Sequence, residues 1–81
     1  MNNANNNQMT NSIQLQSVGR VHAIPAGQVT VGTLLLWNFG HSSTVKAITK
    51  ETEKSIWFTT LTDNGNTYNR RFVKTRLIAV K

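Results

Sequence analysis

The chain has no cysteine, one proline and three carboxylates in 81 residues. Without cysteine there is no disulfide framework, thiolate zinc site, redox dithiol or cysteine nucleophile, and the redox compartment is left open. The three carboxylates, Glu51, Glu53 and Asp63, fall in a short connection and beside a turn, solvent-facing positions where paired-carboxylate chemistry has no footing. Long apolar runs are missing as well. The longest, residues 34–37 and 77–80, cover four residues each, against the ~20 residues a membrane helix needs. The first twelve residues have neither the charged nor the apolar region of a signal peptide. A soluble, cytoplasmic chain with no membrane partner is expected. Helical periodicity is absent too, because Gly or Thr clusters interrupt every window before the roughly ten residues a 3.6-residue repeat requires.

What the chain does have is base. Nine Lys and Arg give a formal net charge of +6, which favours an anionic partner. Arg20 is the only charged residue before Lys46, so eight bases and all three acids lie in the remainder. The densest stretch is residues 70–76, RRFVKTR. Such a cluster beside exposed aromatic rings neutralises phosphates and stacks bases. A solvated basic edge explains the same charge, and Arg70 and Arg71, as strand neighbours, must face opposite sides.

Composition divides the chain in three. Residues 1–12, MNNANNNQMTNS, contain no aromatic or branched aliphatic side chain and read as a disordered tail. Residues 13–27 read as an edge strand and linker, broken at Gly19 and closed by a Pro25-Ala26-Gly27 turn. Residues 29–39, 43–49, 55–63, 67–73 and 76–80 are rich in β-branched and aromatic residues and read as strands. Asn64-Gly65 marks a hairpin, since both tolerate the positive φ of a type I′ turn. With those two residues as the loop, Leu61 faces Tyr68, Thr59 faces Arg70 and Trp57 faces Phe72; a three-residue loop shifts the register by one.

Strand spacing, the VGTLLLW start at residues 31–37 and the TRLIAV end at residues 75–80 resemble an SH3-like small β-barrel over residues 28–80. The expected fold is all-β: a five-stranded SH3-like antiparallel barrel at 28–81 behind a disordered N-terminal tail. An OB-like barrel and a simple sheet sandwich are the alternatives. The expected interior is Leu34, Leu36, Val45, Ile48, Ile56, Phe58, Ile78 and Val80, with part of the Trp37, Trp57, Tyr68 and Phe72 set outside. Leu35, Trp37 and Phe39 alternate as well as Leu34 and Leu36 do, so the buried face of that strand stays open.

These readings favour a binding protein over an enzyme. His22 and His41 lack a third metal ligand, and His41-Ser42-Ser43 lacks an orienting acid; no catalytic residue, metal or cofactor is expected. The expected partner is DNA or RNA, with Lys46, Arg70, Arg71, Lys74 and Arg76 on the phosphates and Trp37, Trp57 and Tyr68 available for stacking. No recognition helix is present for groove readout. The alternative is a protein-interaction or assembly module, gripping an acidic protein or forming a homodimer or higher oligomer. Accessory proteins of phages and mobile elements, inhibitors of host proteins among them, share this short, cysteine-free style. A third class, after the SH3-like reductases that work at an oligomer's central pore, lacks a matching nucleotide-binding motif here.

Overall fold

The structure, a computed structural model, describes residues 11–81. Of the expected tail, residues 1–10 lie outside the described residues; Ser12 already opens the first strand.

Seven strands are formed, rather than five: β1 (Ser12–Leu15), β2 (Gly19–Pro25), β3 (Leu34–Leu36), β4 (Ser42–Glu51), β5 (Ser55–Thr62), β6 (Thr67–Val73) and β7 (Leu77–Ala79). The two extra strands come from the segment expected to be an edge strand and linker, which forms a hairpin instead. Gln16-Ser17-Val18 makes a three-residue turn, with Ser17 at φ 60 and Gly19 at φ 106, that folds β1 back on β2. A short 3-10 turn occupies Ala26–Gln28, and a tight turn with Phe39 at φ 65 occupies Asn38–Gly40.

All pairings are antiparallel and fall into two sheets, ordered β1-β2-β7 and β3-β4-β5-β6. A closed five-stranded barrel is therefore not what the chain builds. The sheets meet at one bridge, Leu35 with Val80, where Val80 N–H donates to His22 O and Lys81 N–H to Leu34 O. Among the described residues two edges remain: β6 pairs only with β5 and β1 only with β2. The turn after β6 is tied to the β4–β5 turn and to the segment after β2. Lys74 N–H donates to Lys54 O, while Ala26 and Gly27 N–H donate to Arg76 O and Lys74 O.

The core is Ala26, Val29, Leu35, Val45, Ile56, Phe58, Phe72 and Ile78, with Ile24, Trp37 and Val80 packed against it. Each large side chain so buried contributes about 1.5–3 kcal/mol. Four residues of the expected interior, Val45, Ile56, Phe58 and Ile78, are buried. Leu34 and Ile48 are exposed and Leu36 is half-buried. Leu35 takes the inward position instead, because its register partner is Ser43, on the same face as Val45.

Two irregularities reset the expected faces. The hairpin between β5 and β6 is a three-residue loop, Asp63-Asn64-Gly65. Gly65 N–H bonds Thr62 O at 3.0 Å, Thr62 N–H bonds Asn66 O at 2.8 Å and Gly65 takes φ 84. That is a β-turn followed by a left-handed residue, a common three-residue alternative to type I′. The register moves by one, so Phe72 faces Ile56, Trp57 faces Arg71, Phe58 faces Arg70 and Thr60 faces Tyr68. Phe72 is buried as a result. In β4 the register slips between Val45 and Ala47 and again between Ile48 and Lys50. Each bulge adds a residue and increases local twist.

Candidate nucleic-acid interface

Directly opposed residues of an antiparallel pair share a face, so the β5–β6 register sorts the predicted site residues into two groups. Ile56, Phe58 and Thr60 point inward with Phe72, Arg70 and Tyr68; Trp57 and Thr59 point outward with Arg71 and Asn69. Arg70 and Arg71 therefore serve opposite faces of the sheet, as strand geometry demands.

On the outer face Lys50, Trp57 and Arg71 form one cross-strand row over β4, β5 and β6. Lys50 Nζ lies 4.9 Å from the Trp57 ring centre and the Arg71 guanidinium carbon 5.8 Å from it. Both cations are exposed and the indole is half-buried. Cations at these distances are attracted to the ring's quadrupole, worth about 0.5–1 kcal/mol at an exposed site. The adjacent row is Ala47, Thr59 and Asn69, with Asn69 Nδ2 donating to Thr49 Oγ1 at 3.1 Å. Neither row contains a carboxylate.

Lys50 was not among the sequence candidates. A ladder continued straight from the pairing of Thr44 with Leu61 would set Lys50 opposite Ser55; the two bulges slide it two residues along, to Trp57. The bulged residues are not glycine, so no residue type announces the slip. Lys46 sits at the first bulge, exposed and outside the regular pairing.

The inner face is covered by the core at its Ile56–Phe72 end and open at its Thr60–Tyr68 end. The opening is a cleft of about 310 Å3 lined by Trp37, His41, Ser42, Ser43, Thr60, Thr62, Asp63, Asn64, Asn66, Tyr68 and Arg70. Trp37 is fixed by its indole N–H, which donates to Ser43 Oγ at 2.9 Å, and by stacking on Phe72 at 6.2 Å with an interplanar angle of 16°. The Arg70 guanidinium carbon lies 4.9 Å from the Trp37 ring and 5.9 Å from the Tyr68 ring.

The other two predicted bases sit apart from both groups. Lys74 Nζ is 2.6 Å from Glu51 Oε2 and its side chain is only 26 % exposed, so its charge is already partnered. Arg76 lies over Phe72 at 5.4 Å, at the margin of the core. The eight residues singled out by sequence thus divide into Trp57 and Arg71 on one face, Trp37, Tyr68 and Arg70 on the other, with Lys46, Lys74 and Arg76 separate.

Among the described residues no group of three or more His, Asp or Glu side chains comes together, and no helix is long and apolar enough to cross a membrane. Comparison with protein-family models, curated proteins and solved structures returned no significant match.

Proposed function

We propose that the protein is a small, non-catalytic nucleic-acid-binding module that holds single-stranded DNA or RNA on the outer face of the four-stranded sheet. The observation that carries this reading is the Lys50–Trp57–Arg71 row: two exposed cations flank one indole, and the adjacent row of Ala47, Thr59 and Asn69 is uncharged. Phosphates take the cations, with Lys46 as a further contact, and a base stacks on Trp57. Selectivity among sequences is low, because stacking and phosphate contacts carry little base information.

Anisotropy of a labelled 12-nucleotide single strand, titrated at several salt concentrations, tests the reading. Three phosphate contacts predict a slope of about −2 for log K against log salt, a loss of about 16-fold between 50 and 200 mM. Quenching of Trp57 fluorescence should accompany binding, and Arg71→Glu should weaken it several-fold. A flat salt response, or an Arg71→Glu variant that binds as the parent does, overturns the reading.

Phe39 favours a second reading, a protein partner. It is 60 % exposed and held at φ 65, a left-handed conformation that a bulky side chain rarely adopts. Gln16 O accepts from its N–H at 2.7 Å, and Asn38 Oδ1 accepts from Gln16 N–H at 2.8 Å. Phe39→Ala separates the two readings: it abolishes capture of a protein partner and leaves the oligonucleotide affinity unchanged.

A further inference from the structure

The aromatic residues form a chain of contacts that begins in the core and ends in solvent. Phe58, fully buried, lies 5.6 Å from Phe72; Phe72 lies 6.2 Å from Trp37; Arg70 follows at 4.9 Å from Trp37, and Tyr68 at 5.9 Å from Arg70. Tyr68, Arg70 and Phe72 reach this series because alternate residues of β6 share a face, and β3 delivers Trp37 to it. The last ring, Tyr68, is 48 % exposed and borders the cleft. A series of planar groups that stops at an open ring has room for one more.

We infer that the cleft takes a single unpaired nucleobase with its phosphate, the base stacking on Tyr68 and the phosphate pairing with Arg70. Charge decides between this occupant and a cationic one. Two aromatic walls also suit a cation, but the guanidinium of Arg70 already stands close to both Trp37 and Tyr68, so a second cation between those rings meets a like charge; the carboxylate in the lining, Asp63, belongs to the hairpin loop, with Ser42 Oγ 3.5 Å from its Oδ2, so the phosphate is assigned to Arg70 and away from that loop. Size agrees, since about 310 Å3 is at the low end of the roughly 300–1,000 Å3 of small-ligand sites and suits one nucleotide rather than a run of them. Asn64 and Asn66 on the hairpin loop line the cleft and offer both donors and acceptors to a base edge. The site deepens the nucleic-acid reading, on which it rests: Arg70 and Arg71 are neighbours on the free edge strand β6, so a strand lying on Trp57 can turn over that edge and place its next base in the cleft.

The test is a 15N NMR titration of the full chain with adenosine and uridine 5′-monophosphates, followed by the same 12-nucleotide single strand. Saturable shifts at the Trp37 indole N–H and at the amides of residues 68–70, with the Trp57 indole N–H unmoved by the mononucleotides, are expected. Tyr68→Ala should lower oligonucleotide affinity at least about 5-fold, the low end of what one stacked base contributes, Tyr68→Phe should restore it, and Arg20→Gln should match the parent. If the oligonucleotide binds and moves the Trp57 indole while Trp37 and residues 68–70 stay still, the cleft inference fails and the outer-face reading stands. If the mononucleotides shift Trp37 but the oligonucleotide does not bind, the cleft stands and the outer-face reading fails. Binding of trimethyl-lysine at Trp37 in place of either nucleotide overturns the cleft assignment outright.

Discussion

Ser43 shows how much one small side chain decides. It is 4 % exposed, and its hydroxyl accepts the Trp37 indole N–H, so it fixes the ring on which Phe72 and Arg70 both pack. Removing that acceptor leaves a part-buried N–H unsatisfied, at a cost of about 1–3 kcal/mol. Ser43→Ala should therefore lower the free energy of urea unfolding, read by tryptophan fluorescence, by an amount in that range; an unchanged free energy means that the indole finds another acceptor. The same contact alters the meaning of Trp37. By sequence it is an aromatic free to contact a ligand, yet here it is half-buried and packed on the core. A Trp37→Ala variant therefore damages packing as well as any interface. Lys74 is a parallel case. Its charge belongs to the densest basic stretch, but Glu51 already holds it, and the partner lies 23 positions away in the chain, where no local pattern points to it.

Between β5 and β6 the hairpin was foreseen and its register was not. Asn64-Gly65 correctly marks a turn, but Asp63 joins the loop and every opposed pair moves by one. The physical reason lies in the strands rather than the loop. The observed register buries Phe72 against Ile56 and Phe58, whereas the two-residue version would put it on the outer face beside Trp57. Burial of an aromatic ring outweighs the modest preference among turn types. Deleting Asn64 tests this: Asp63-Gly65 then forms a two-residue loop that keeps the strand register, so NOEs between Ile56 and Phe72 should persist. NOEs between Trp57 and Phe72 in their place would show that the loop, not burial, sets the register. The bulges of β4 present the same difficulty in stronger form, because they carry Lys50 to Trp57 without any residue type that signals a bulge.

Among the described residues the fold leaves two sheet edges, and the basic stretch begins on one of them, β6. Unpaired N–H and C=O groups on an edge strand invite pairing with another chain, and charged side chains oppose it. Arg70 and Arg71 on β6 fill that role whatever ligand they also bind, since their charges meet head-on when two β6 strands approach. The double variant Arg70→Thr with Arg71→Thr should self-associate at concentrations where the parent stays monodisperse by light scattering. An equally monodisperse variant means that the edge is protected by its twist instead.

All-β class, the turns near residues 25–27 and 64–65, the two aromatic strands and the concentration of charge after residue 45 were legible from the order of residues, because β-branched content, turn chemistry and net charge are local properties; the turn at 16–18 and the break at 31–32 within the expected strand 29–39 were not. Five strands in a barrel were not what formed, since whether β1 exists, whether the sheets close and which face Leu35 or Phe72 takes depend on contacts between distant segments. The division of the bases was half legible. That Arg70 and Arg71 part company follows from the two-residue repeat of any strand. That one of them meets Trp37 and Tyr68 while the other joins Trp57 and Lys50 follows from a loop one residue longer than expected and from two bulges, all of which are set by the packing of the core.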